Sequence, residues 1–509
     1  MRRFSGVRGA SRVGGGLKRT LMSGLPGTPR ERPQRFETRK AVVGGLALGG
    51  ASLAGLGIRR IVRSRPRFAP WERPPFERFR RKVLILGGGF AGYNCAKHLC
   101  TLTWGRDDVG VMLISRDNYL TFRAMVPGII SSDVGIANIA QPLRRKLIRM
   151  GASVRRAEIE TVDFERRTVI ADGKEFPYDQ LVLALGAEPA FFGIPGVEEH
   201  AVSMKGVVEA LAIRDLVIDR FEEVTLHAGD VSESKLNFVV IGAGATGVET
   251  AAQLYVLINH VLAPEYPNID TARCRIFLLD GRPNILPELD PGLRRIAHGQ
   301  LAARKIEVMT NTLVAEVGDG YVKLASGREI PSENVIWTAG ARPNALVEKI
   351  GLPLVDRTRG LKVDLNLRVA GFDNVWGVGD CATIPDGHGG FVPPNGQAAS
   401  KEGAHVAKNV LAVIDGKEPT PFRYKSMGQL VELGSHFAVN DIVGVRFSGR
   451  LASLVWQAAH LMLLESPHGR ARQAFDWLLG YFLEPSVSRI RQSQPRIPVT
   501  AQQRSGNGV

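Results

Sequence analysis

Cysteine is scarce in this chain of 509 residues. There are four, Cys95, Cys100, Cys274 and Cys381. No Cys/His cluster of metal-ligand spacing accompanies them, so the reading carries no metal site, and the usage fits a reducing compartment. Acidic residues are scarce in one region only. The chain holds 66 Lys/Arg and 50 Asp/Glu, of which 21 and 4 lie in residues 1–82, leaving 45 and 46 for the rest. The body is therefore near neutral, which argues against a nucleic-acid partner. The basic balance belongs to an N-terminal extension that is either a targeting segment or an arm for anionic surfaces. Long uncharged runs are scarce too. Ala41 to Ile58 is an 18-residue example, reaching ~27 Å as a helix, about the width of a bilayer core. Six glycines and basic residues at both ends (Arg39, Lys40, Arg59, Arg60) weaken a membrane-span reading.

Glycine is abundant instead, at 57 residues. Part of that excess marks two turns of one kind. Lys82-Val-Leu-Ile-Leu86 is an apolar run that reaches Gly87-Gly88-Gly89-Phe90-Ala91-Gly92, then a helical pattern over 91–102 and a second strand over 109–114. The same order returns at Asn237-Phe-Val-Val-Ile241, followed by Gly242-Ala243-Gly244-Ala245-Thr246-Gly247, a helix through Thr250, Ala251 and Leu254, and a strand Arg275-Ile-Phe-Leu-Leu279. Strand, glycine turn and helix together form the dinucleotide-binding signature. One glycine allows the turn, one lets backbone approach a pyrophosphate, and one lets helix lie close on strand. The helix N-terminus offers its free N–H groups to the phosphates. The fold class follows as α/β with two Rossmann-like units.

The two turns differ in the residue that meets the ribose. The second strand of the second unit ends in Asp280, which can accept from both adenosine ribose hydroxyls and favours NADH over NADPH. Arg282, two residues on, is able to accommodate a 2′-phosphate. In the first unit Ser115 stands where the acid belongs, with Asp117 nearby. A flavin on one unit and a nicotinamide on the other can stack for hydride transfer.

Beyond the second unit, Leu451 to Leu464 and Ala474 to Phe482 are apolar helical stretches, separated by a polar break at Ser466-Pro-His-Gly-Arg470. They suit either a core helix pair or helices lying in a membrane interface.

With these motifs placed, residues 82–485 resemble the type II NADH dehydrogenases (single-subunit NADH:quinone oxidoreductases), within the FAD-dependent pyridine nucleotide-disulfide oxidoreductases. The resemblance rests on Ser115-Arg-Asp-Asn-Tyr-Leu-Thr-Phe122, Tyr178-Asp-Gln-Leu-Val-Leu-Ala-Leu-Gly186, Ile194-Pro-Gly196, Gly244-Ala-Thr-Gly-Val-Glu249, Ile336-Trp-Thr-Ala-Gly340 and Val375-Trp-Gly-Val-Gly-Asp-Cys-Ala382. It implies that FAD is held by Gly87, Gly89, Gly92, Ser115, Gly186 and Asp380, the last at the ribityl chain. It implies that NADH is held by Gly242, Gly244, Gly247, Glu249, Asp280 and Gly340. Glu249 would stand near nicotinamide and flavin, orienting the carboxamide or relaying a proton. The family's quinone segment, Ala-Gln-x-Ala followed by paired glutamines, reads here Gly396-Gln397-Ala398-Ala399, then Lys401 and Glu402. Gln397 and Ala399 keep it, as the quinone-side residues, with Gln397 and Glu249 the catalytic pair.

The implied organisation is an extension over 1–81, an FAD domain over 82–204 and 346–425, an NAD domain over 205–345 inserted in it, and a membrane-docking and dimerisation region over 426–509. The implied partners are NADH, a membrane quinone, the membrane surface and a second copy of the chain. The implied reaction is two-electron transfer without proton pumping. The expected location is the cytoplasmic face of a cell membrane, with an organellar inner membrane or an anchor at 41–58 as alternatives. Reduction of a ferredoxin-type acceptor, or an NADH-binding redox sensor, are the rival functions. A disulfide or sulfide reductase needs a cysteine pair at the flavin, and Cys95 and Cys100, about 140° apart on one helix, are better read as buried small hydrophobes.

Overall fold

The computed structural model describes residues 74–226, 232–483 and 486–489. The 41–58 stretch and the expected extension as far as residue 73 lie outside the described residues. Two five-stranded parallel sheets organise the body. The first runs Val375–Gly377, Gln180–Leu183, Arg81–Leu86, Val109–Ser115, Ser153–Arg156 across its width. The second runs Ala201–Ser203, Asn334–Trp337, Asn237–Ile241, Arg275–Leu279, Ile306–Met309. In both, the central strand is the one that feeds the glycine turn. Asn237–Ile241 is buried throughout and Arg81–Leu86 from Val83 onward, as a sheet covered on both faces requires. Each central strand is flanked on one side by the next strand in sequence and on the other by one that returns much later. That is the topological switch point at which such sheets bind ligands.

The internal repeat goes further than the sequence indicates. In each unit a three-stranded antiparallel meander sits between the strand at one sheet edge and the returning strand. These are Ile159–Asp163, Thr168–Ala171, Lys174–Pro177 and Val314–Gly318, Tyr321–Leu324, Glu329–Pro331. Each returning strand then leads to a short segment that crosses to the other unit, and Ala187–Pro189 pairs antiparallel with Ala341–Pro343. The first sheet is completed by Val375–Gly377, nearly 200 residues after its neighbour Gln180–Leu183.

A three-stranded antiparallel sheet, Gly428–Glu432, Ala438–Ile442 and Val445–Gly449, precedes two helices, Arg450–Leu463 and Pro467–Gly480. The expected polar break is narrower than the sequence implies. Ser466 caps the second helix by accepting from the Gly469 N–H, and Pro467 occupies its first position, where a missing N–H costs nothing. Their amphipathicity is inverted relative to a core helix pair. Ser453, Gln457, His460 and Gln473 are buried beside Trp456 and Trp477, while Leu451, Leu454, Met462, Leu463, Phe475, Leu478 and Phe482 are each more than half exposed. No helix among the described residues is long and apolar enough to cross a membrane.

Candidate dinucleotide and electron-transfer site

At the first turn, Gly87 has φ +106°, and a Cβ there would lie 2.1 Å from the Ala184 carbonyl oxygen. A Cβ on Gly92 would lie 2.0 Å from the Gly87 oxygen. These two glycines let strand, turn and helix pack, and no other residue fits. Gly89 is different. It has φ −73°, a conformation open to any residue, yet a Cβ there would meet no heavy atom within 4 Å. The space beside it is kept clear at the start of helix Phe90–Leu102, whose first turn has no side-chain cap. Open room facing unsatisfied N–H groups is what a pyrophosphate needs. Ser115 is buried directly beneath this loop, since a Cβ on Gly88 would come within 2.7 Å of its Oγ.

The second turn repeats this pattern. Gly242 has φ +107°, and a Cβ on Gly247 would lie 1.7 Å from the Gly242 oxygen. A Cβ on Gly244 would meet only Nη2 of Arg282, at 4.0 Å. Asp280 reaches the loop, and its Oδ2 accepts from the Ala243 N–H at 2.7 Å. Burial pushes its carboxyl up, but the bonds from Arg282 and Ala243 outweigh it and hold it below the usual carboxylate range. At Gly340, with φ +74°, the place of a Cβ is filled by the Phe192 ring at 2.3 Å, whereas Gly186 faces open space.

Asp380 comes to the first turn from nearly 300 residues away. Helix Gly396–Ile414 packs on Phe90–Leu102 so closely that a Cβ on Gly403 would lie 2.1 Å from the Ala91 oxygen. That contact sets the loop Gly379–Cys381 against the start of the first-turn helix, with a Cβ on Gly379 only 3.1 Å from that of Ala91. The buried Glu402 pins the loop by accepting from the Gly379 N–H at 2.7 Å. Burial raises the Asp380 carboxyl, partly opposed by Arg123, whose Nη1 stands 3.8 Å away. Burial raises Glu402 to about 7. Arg123, Glu402 and Gly403 carry no motif of their own; Glu402 is visible in the sequence only as a departure from glutamine.

The two residues expected on the quinone side are placed differently. Ala399 is buried within 3.9 Å of a Cβ placed on Gly379. Gln397 has its Oε1 committed, accepting from Tyr424 Oη at 3.0 Å and Met427 N at 2.8 Å, so it ties the helix start to the following segment. Its amide N–H₂ is the part left for a ligand.

Glu249, in helix Ala245–Val256, is buried, and its Oε1 accepts from the Glu432 N–H at 3.2 Å. Burial raises its carboxyl to about 8, with the Glu432 N–H pulling the other way. Glu432 itself is pushed well up, first by burial and then by the charges of Asp133 and Glu249. Glu249 is thus held largely protonated near neutrality. His460, buried against Trp456, is lowered to about 4 and stays neutral.

Cys95 and Cys100 are fully buried in the first-turn helix, and burial pushes the Cys381 thiol up to about 12. None is an exposed thiolate of the kind a dithiol mechanism requires.

Residues 81–403 match the family described as pyridine nucleotide-disulphide oxidoreductase. The type II NADH:quinone oxidoreductase Ndh of Mycobacterium tuberculosis is 31% identical over 416 residues, covering 78% of this chain and 87% of that protein. The mitochondrial external alternative NADH-ubiquinone oxidoreductase of Yarrowia lipolytica is 26% identical, covering 86% of this chain and 85% of its own. Among solved structures, NDH2 from Plasmodium falciparum in complex with NADH superposes with a TM-score of 0.73 at 22% identity, over 80% of this chain and 100% of that one. At that identity the likeness is one of fold.

Proposed function

Because this chain belongs to the type II NADH:quinone oxidoreductases, within the pyridine nucleotide-disulphide oxidoreductase family, we propose that it oxidises NADH through FAD and reduces a membrane quinone, without pumping ions. The observation that carries this reading is the pair of uncapped helix starts, each with one glycine whose Cβ direction is open, and with Asp380 set against the first. The residues fit the two nucleotides. Gly87, Gly89, Gly92, Ser115, Gly186 and Asp380 would hold FAD; Gly242, Gly244, Gly247, Glu249, Asp280 and Gly340 would hold NADH. Bound there, FAD supplies the redox chemistry, taking a hydride from reduced nicotinamide and returning two electrons to a quinone.

The protein's own contribution is position and protons. Glu402 fixes the Gly379–Cys381 backbone and hence Asp380. Glu249, buried and largely protonated, is able to give a proton at its carboxyl while keeping its bond to Glu432. Gln397 presents its amide N–H₂ on the quinone side. Residues 205–345 act as an NAD domain inserted into an FAD domain at 82–204 and 346–425. The outward apolar faces of the last two helices favour docking on a membrane surface, where Leu478 and Phe482 would enter the interface. The expected site of action is the peripheral face of a respiratory membrane. The expectations of a homodimer and of a region for it at 426–509 belong to the same reading.

Steady-state NADH oxidation without oxygen tests the acceptor. The rate is expected to depend on added quinone. A protein that oxidises NADH only with ferredoxin-type acceptors, and not with quinones, would overturn the assignment.

A further inference from the structure

Asp280 is the acid placed to accept from the two hydroxyls of an adenosine ribose, and alone it would repel a 2′-phosphate. A carboxylate has about four acceptor positions. Here four donors fill them. Oδ2 accepts from Ala243 N at 2.7 Å and Arg282 Nη2 at 2.8 Å; Oδ1 accepts from Arg282 N at 2.8 Å and Arg282 Nε at 3.0 Å. The two backbone bonds are set by the turn. The other two come from one guanidinium in a fork, which offsets the charge of Asp280 at contact distance.

The ion pair is also lopsided in exposure. The Asp280 side chain is 6% exposed and that of Arg282 51%. The guanidinium therefore covers the carboxylate on the side a nucleotide would enter. Its Nη2 is the atom that stands 4.0 Å from a Cβ placed on Gly244, the glycine with open space for a pyrophosphate. Of about five guanidinium N–H groups, two are spent on Asp280 and three remain. Nearby, Glu288 accepts from Gln429 Nε2 at 2.7 Å, and its charge also acts on Arg282.

We propose that this site takes NADPH as well as NADH, with Arg282 as the residue that pairs with the 2′-phosphate. A phosphate arriving here meets a half-exposed cation in front of a neutralised carboxylate. The free N–H groups of the fork fit its oxygens. The two hydroxyls of NADH, in contrast, have to displace the Arg282 side chain from Asp280 before they can use it. The guanidinium thus lowers the preference that Asp280 alone would impose. The inference rests on the nucleotide role of the second turn proposed above.

The test is anaerobic bleaching of the flavin in the purified, FAD-loaded protein by NADH and by NADPH separately, with kcat/KM for each. Both are expected to bleach it. Arg282→Ala is expected to lower the ratio of kcat/KM for NADPH over NADH by about tenfold or more, the scale of a lost charge-assisted phosphate contact. Arg282→Lys, which retains charge without the fork, is expected to retain part of the ratio. Bleaching by NADH and not by NADPH would overturn the inference and leave the nucleotide role standing. An unchanged ratio in Arg282→Ala would also overturn it. Failure of both nucleotides to bleach a bound flavin would overturn the nucleotide role itself.

Discussion

Gly244 and Gly247 stand three residues apart in one turn, yet the structure assigns them opposite duties, so alanine at each separates folding from binding. At Gly247 the new Cβ would lie 1.7 Å from the Gly242 oxygen, and that neighbour is backbone. The turn has to shift, and overpacking of this kind costs about 1–3 kcal/mol. At about 1 °C per kcal/mol, the scale for a body of about 400 residues, the melting temperature should fall by about 1–3 °C. At Gly244 the backbone has φ −71° and the Cβ meets only a half-exposed guanidinium nitrogen at 4.0 Å. Stability should stay within about 0.5 kcal/mol. The methyl would instead occupy the approach to the helix start. Losing one charge-assisted bond there, worth about 1.5–3 kcal/mol, corresponds to a rise in Kd for NADH of about 10- to 150-fold. Thermal unfolding without NADH, paired with an anaerobic NADH titration of the FAD-loaded protein, reads both quantities. If Gly244→Ala unfolds as early as Gly247→Ala, or binds NADH as tightly as the parent, the reasoning about open space is wrong.

The other predictions concern the acids and the helices. Glu249 has a folded pKa raised from 4.5 to about 8, so its contribution favours the fold at low pH and is lost as pH rises through that interval. Glu249→Gln should therefore gain stability relative to the parent between pH 5 and pH 8, read as urea midpoints; an equal difference at both would show that the carboxyl is not held protonated. Glu402→Ala leaves the Gly379 N–H without its acceptor and should lower the FAD content of the purified protein several-fold, in line with about 1–3 kcal/mol for an orphaned donor, while Glu402→Gln should retain it. Equal FAD content in the two variants would remove the positioning role. Leu478→Ser with Phe482→Ser removes two outward apolar side chains, each worth about 1.5–3 kcal/mol when buried. The double variant should sediment less with lipid vesicles while NADH still bleaches its flavin; unchanged sedimentation would place the membrane contact elsewhere.

Strong local patterns were legible in the sequence. The strands Asn237–Ile241 and Arg275–Leu279 have the bounds that their apolar runs imply, and the first-turn helix begins at Phe90, one residue before its expected start. Both glycine turns were legible because their chemistry is local. The meanders were not, because strands of three to five residues with mixed polarity carry little periodicity. Gly403, Arg123 and Glu432 were invisible because their partners, Ala91, Asp380 and Glu249, lie more than 180 residues away. The last two helices were recognised as apolar, but which face points inward was hidden. Their buried faces hold Ser453, Gln457, His460 and Gln473; Gln473 accepts from Asn138 Nδ2 at 2.8 Å, a partner from another segment, while His460 bonds to the Trp456 carbonyl of its own helix.

An anaerobic titration of the purified protein with NADH, followed by a soluble quinone, measures the central claim in one cuvette. The account predicts a flavin spectrum that NADH bleaches and quinone restores. A protein that purifies without flavin and fails to take up FAD, or a flavin that NADH leaves oxidised, would contradict it.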